Sequence, residues 1–183
     1  MFTLLVVIRS VCCRLSCLRC DRLYIKVTVW QKFSRDLDQV IQRAVDAGVT
    51  KIMVTGTSLH STKEALRLTR LYPGTLYSTA GIHPHDAKSW DNETYNEVKE
   101  AARWVAQLQV LQVGGDTCSR CAECVAIGEC GLDFNRNFSP PEVQVEVFEK
   151  QVVLACELGK PLFLHERDAH QQMVEILERF AER

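Results

Sequence analysis

The chain has 183 residues, of which 46% are apolar and 25% charged, with a formal net charge of −1. These values fit one soluble globular domain with a real core, and no apolar run is long enough to span a bilayer. The near-zero charge weakens the case for a module that binds nucleic acid by basic charge, but not for a nuclease, because metal ions can neutralise phosphate instead.

The nine cysteines are unevenly spread. Cys12, Cys13, Cys17 and Cys20 crowd the start, Cys118, Cys121 and Cys124 form a second group, and Cys130 and Cys156 stand alone. An odd count in a chain of this class argues for reduced thiols inside a cell. The two groups have no partnering His, so they read as incidental thiols rather than a zinc site. Phe2–Ile8 is apolar, but it is short for a signal peptide and lacks a preceding basic region. A cytoplasmic or nuclear setting is expected.

Residues 1–28 form a divergent Cys-rich and Arg-rich segment, within which Leu23–Val29 has the pattern of a strand. Ser34 is placed to cap a helix through Leu37, Val40, Ile41, Ala44 and Val45, closed by Gly48. Lys51–Gly56 reads as a buried strand. Ser61 and Glu64 have the spacing of a capping box for a second helix, with Ala65, Leu68 and Leu71 facing inward and Pro73-Gly74 as its stop. Leu76–Ala80 is the next strand and runs into Gly81-Ile82-His83-Pro84-His85-Asp86. A third helix is expected over Glu93–Leu108. Residues 109–124 read as an irregular insertion. A short strand, Val125–Ile127, then meets Gly128 and Glu129. Ser139, Pro140 and Glu142 give three agreeing start signals for a helix buried along Val147, Phe148, Gln151, Val152 and Ala155. Pro161–Leu164 is a strand ending at His165, and Met173, Ile176, Leu177 and Phe180 mark a last helix.

Alternating strands and helices with short links argue a parallel sheet with helices outside. Periodicity alone allows either part of a (β/α)8 barrel or a small doubly wound sheet. In both, residues past the carboxyl ends of strands share one face. His83 and His85 follow one strand, Glu129 the next and His165 the one after. Imidazoles and a carboxylate meeting there suit a divalent metal that activates water. Arg167 fits either a fork of donors that holds phosphate or a surface salt bridge. Asp133 fits either a group that orients a ligand or a turn residue. His60 and His170 read as solvent-facing. No phosphate-cradling glycine loop is present, which argues against nucleotide-dependent transfer.

Four stretches in order, Ile52-Met-Val-Thr-Gly-Thr, Ser78-Thr-Ala-Gly-Ile-His-Pro-His, Ala126-Ile-Gly-Glu-Cys-Gly-Leu-Asp-Phe-Asn-Arg-Asn-Phe and Phe163-Leu-His-Glu-Arg-Asp-Ala-His, resemble the TatD family of metal-dependent deoxyribonucleases. The resemblance implies a TIM-barrel-like α/β fold of the metal-dependent hydrolase type, incomplete here, with about five of eight strand–helix units over 29–183. It implies hydrolysis of DNA phosphodiester bonds, in the 3′-to-5′ direction, with magnesium or a similar divalent ion. By the same resemblance Glu129 and His165 are metal ligands, His83 and Glu129 are catalytic, and His85 and Arg167 contact substrate. The family's later strands carry a further His and an Asp ligand. Their absence from these residues implies an incomplete second metal site and weak or no turnover. It also leaves a barrel edge that a partner chain would cover. Two other readings remain open: a catalytically impaired fragment with a binding role or none, and a metal-dependent hydrolase of small esters or amides.

Overall fold

The computed structural model describes residues 25–27, 36–103 and 123–181, the first of these segments as backbone only. Five strands carry the architecture: β1 (Ile25–Val27), β2 (Ile52–Val54), β3 (Leu76–Ala80), β4 (Cys124–Asp133) and β5 (Leu162–Arg167). Between and after them come α1 (Leu37–Asp46), α2 (Leu59–Leu71), α3 (Asn92–Arg103), α4 (Pro141–Leu158) and α5 (His170–Phe180). A 3-10 helix, Pro84–Ser89, comes after β3.

The sheet order is β1-β2-β3-β4-β5, and every neighbouring pair is parallel. A doubly wound sheet reverses its direction of growth at a switch point. Strands added in sequence order, always on the same side, instead build the wall of a barrel. The fold is therefore an incomplete TIM-barrel-like α/β structure.

Alternation along the strands separates two sides. Ile52 and Val54 of β2 pack outward with Ile41 of α1 and Ala65 and Leu68 of α2. Met53 points the other way and meets Ala126 of β4 and Phe163 of β5 in the barrel interior. Farther along, Leu164 packs outward with Phe148 and Val152 of α4 and Ile176 of α5.

β4 does not keep this alternation throughout. Gly128 lies opposite Phe163 and Cys130 opposite Leu164, so Glu129 is an extra residue, a β-bulge. Beyond it the parity is inverted. Cys130 and Leu132 join the outer cluster with Leu164, while Gly131 and Asp133 lie opposite His165 and Arg167. An unbroken strand would have turned Asp133 outward, because a shift of one residue exchanges the two faces. The peptide bond between Gly128 and Glu129 is cis.

Several sequence expectations need correction. β4 is ten residues long and begins at Cys124, so the expected end at Ile127 falls short and Cys124 belongs to the strand rather than to an insertion. The capping box of α2 starts at Ser58. Its side chain accepts the Ser61 N–H, and Ser61 Oγ accepts the Ser58 N–H in return. Ser61 is thus the inner partner of the box, not its start. Leu71 and Val45, placed inward by helical spacing, are exposed at 56% and 43%. Pro140, not Ser139, precedes the first turn of α4, and no side chain caps it. The Ser34 cap, the end of the third helix beyond Arg103 and the cysteines before Cys124 fall outside the described residues. Among the described residues no helix is long and apolar enough to cross a membrane.

Candidate active site

Three strand ends bring the site together. β3 exits through Gly81 and Ile82 to His83, whose backbone N–H donates to the Thr57 carbonyl at 2.8 Å. Pro84 then starts the 3-10 helix that carries His85. The bulge of β4 supplies Glu129, 3% exposed, and the end of the same strand supplies Asp133, which is fully buried. β5 supplies His165 and Arg167 from its carboxyl end. Close strand packing makes this possible. Gly128 and Gly131 have φ of +137° and +138°, and a Cβ at Gly131 would strike the His165 carbonyl oxygen.

His83, His85 and His165 form one cluster. A ring nitrogen of each lies within 4.8 Å of the others. Ring centroids are 4.3 Å apart for His83 and His85 and 4.4 Å for His83 and His165. Asp133 organises two of the rings. Its Oδ2 lies 2.6 Å from His85 Nε2 and 3.2 Å from His165 Nε2, with Arg167 at 3.7 Å. Its Oδ1 accepts the backbone N–H groups of Asn135 and Arg136. Burial pushes the Asp133 carboxyl up. The His85 bond, the Arg136 N–H, the Arg167 charge and the His165 bond outweigh it and hold the group down at about 2.

The hydrogen bonds fix which ring nitrogens are free. An ionised Asp133 only accepts, so Nε2 of His85 and Nε2 of His165 donate to it. An uncharged His165 therefore turns the lone pair of Nδ1 toward Glu129, whose Oε1 is 3.5 Å away. Two acceptors face each other there, an arrangement that a divalent cation between them would suit. An imidazole oriented by a carboxylate on its far nitrogen is the usual arrangement of a metal-binding His. The donor set thus fits a divalent ion held by Glu129 and His165.

His83 is different. Its Nδ1 accepts the His85 N–H at 3.1 Å, so an uncharged ring carries its proton on Nε2 and donates there. Burial first, then the neighbouring His165, push its pKa down to about 3, against the pull of Glu129. A neutral His83 therefore offers an Nε2–H donor, while the cluster it forms with His85 and His165 also has the spacing of a metal-ligand set.

The remaining expected residues lie at the rim. His85 is partly exposed and packs edge-on against the exposed ring of Phe138, centroids 4.8 Å apart. Arg167 is about a quarter exposed beside Asp133, at 28%. His60 and His170 are exposed, as the sequence suggested. Sequence reasoning missed Phe138 and left Asp133 unresolved. Gly128 and Gly131 around Glu129 were the available sign of an irregular strand whose later side chains are re-aimed.

A family model described as TatD related DNase matches residues 26–183. The chain is 44% identical over 146 residues to the 3'-5' ssDNA/RNA exonuclease TatD of Erwinia billingiae (strain Eb661), covering 80% of this chain and 49% of that protein. The protein of the same name from Shigella flexneri serotype 5b (strain 8401) is 44% identical over 147 residues, covering 80% and 50%. Among solved structures, YJJV, a TatD homologue from Escherichia coli K12, matches with a TM-score of 0.67 at 28% identity, covering 85% of this chain and 55% of that one. The chain spans about half the length of the curated relatives it matches.

Proposed function

The chain belongs to the TatD related DNase family, and on that premise we propose that it hydrolyses phosphodiester bonds of single-stranded DNA from the 3′ end. The observation that carries this reading is the Nδ1 of His165 facing Oε1 of Glu129 at 3.5 Å. A divalent ion, which we take to be magnesium, would supply there a water of lowered pKa and positive charge against the phosphate. Glu129 and His165 would hold it. Asp133 keeps the His165 ring turned so that Nδ1 stays free. His83, neutral near pH 7, directs its Nε2–H at a phosphate oxygen and steadies the charge that grows on it. Arg167 and His85, at the open side, contact the phosphate of the bound strand. Met53, Ala126 and Phe163 pack as a buried apolar cluster in the barrel interior. Among the described residues Cys124, Cys130 and Cys156 are unpaired, and a cytoplasmic setting is part of the proposal.

The test is release of nucleotides from 3′-labelled single-stranded DNA with magnesium, comparing the chain with Glu129→Ala. Magnesium-dependent release that Glu129→Ala abolishes is the expected result. A folded chain that leaves DNA intact contradicts the reading and favours a catalytically impaired relative. Cleavage of small esters alone contradicts the substrate class.

A further inference from the structure

α4 places two glutamines in the protein interior, where an uncharged polar side chain needs partners for both ends of its amide. Gln144 is 1% exposed and Gln151 is fully buried. They are seven residues apart, two helical turns, and so lie on the same face of α4. Each makes the same contact. Gln151 Oε1 accepts the Ile82 N–H at 2.8 Å and its Nε2 donates to the Ile82 carbonyl at 3.0 Å. Gln144 Oε1 accepts the Asp133 N–H at 2.8 Å and its Nε2 donates to the Asp133 carbonyl at 3.0 Å. One amide thus satisfies both main-chain groups of one residue, as a neighbouring strand would.

The clamped residues are the last before a site group or the group itself. Ile82 precedes His83. Asp133 is the carboxylate that orients His85 and His165. Gln144 Nε2 also donates to the Ser139 carbonyl at 2.8 Å. Ser139 Oγ in turn donates to the His85 carbonyl at 2.9 Å and accepts the Lys88 N–H. Among the described residues no strand takes the place of these amides. The ladder between β3 and β4 stops at Ala80 and Ile127, and β5 pairs with the opposite side of β4. Apolar residues would fill the same volume but would leave the main-chain groups unpaired and free to shift.

We propose that Gln144 and Gln151 are positioning residues, a pair of amide clamps through which α4 fixes the main chain at Asp133 and at Ile82, next to His83. Gln151 sets the donor at His83. Gln144 sets Asp133, and through it His85 and His165. The catalytic meaning of the clamps rests on the metal-dependent hydrolase reading, but the geometry they impose does not.

The experiment is two-dimensional 1H–15N spectroscopy of the imidazoles in the full chain, for Gln151→Met, Gln144→Met and the surface control Lys150→Ala. Gln151→Met is expected to move the His83 signals most and those of His165, whose ring touches His83, less. Gln144→Met is expected to move His85 and His165 more than His83 and to weaken manganese binding about tenfold, the scale set by other ligand-orienting groups. Lys150→Ala should move none. If a Met variant does not fold, the Glu variant at the same position keeps the acceptor and loses the donor, and gives the same residue-specific pattern. Folded variants whose imidazoles stay unmoved, or in which both substitutions rank the three rings alike, overturn the proposal. Absence of nuclease activity in the parent chain would remove the hydrolase reading while these spectra still decide the clamps.

Discussion

His83 shows how much one partly buried ring weighs. Its ordinary value of 6.5 falls to about 3 in the folded protein. Above pH 6.5 neither the folded nor the unfolded chain holds the proton, and the ring costs nothing. Below it the unfolded chain takes up a proton that the folded chain refuses, so stability falls by about 1.4 kcal/mol per pH unit until the folded value is reached. With chelator present, the melting temperature should therefore drop between pH 6.5 and 4, and His83→Gln should flatten that limb. An unchanged slope in the variant would mean that the ring is protonated or exposed. His83, Glu129 and His165 were legible in the sequence because each is an ionisable residue just past an apolar run. Asp133 was not, because its inward aim depends on the extra residue at Glu129, and no alternation pattern written along the chain reveals a one-residue slip.

The elements that matter most are β4 and the start of α4. β4 lies so close to β5 that Gly131 has no room for a side chain, and its φ of +138° is one that side chains rarely adopt. Gly131→Ala should destabilise the protein by at least about 2 kcal/mol in urea titration, the scale of strained or overpacked core positions. A neutral effect would show that the two strands can part. Ser139 has the sequence signature of a helix cap, yet its hydroxyl is turned to the 3-10 helix, where it bonds Lys88 and His85. Ser139→Ala should cost about 1–2 kcal/mol and speed amide exchange at Lys88, which was its partner. Faster exchange confined to the first turn of α4 would point back to capping. The sequence marks Ser139 as a helix cap, but the choice between helix and neighbouring loop is made by tertiary packing. The capping box of α2 moved by three residues for a similar reason, since Ser58 and Ser61 can each play either part and local pattern alone does not rank them.

At the scale of the whole molecule, strand order decides the architecture. Periodicity gave α/β alternation, and two architectures share it. Only the pairing of each strand with its successor separates a barrel wall from a doubly wound sheet. That same order is what sets His83, Glu129 and His165 on adjacent strands, β3, β4 and β5, so that residues far apart in sequence share one small volume. The apolar interior and the ionisable mouth come from the direction all the strands share. The proposed chemistry requires Glu129 and His165 together to hold a divalent ion. Calorimetric titration of the chain with manganese, beside Glu129→Gln, measures this directly. A single tight site in the parent chain that weakens at least about tenfold in Glu129→Gln is the predicted result. Equal affinity in the two proteins, or no binding in either, would contradict it.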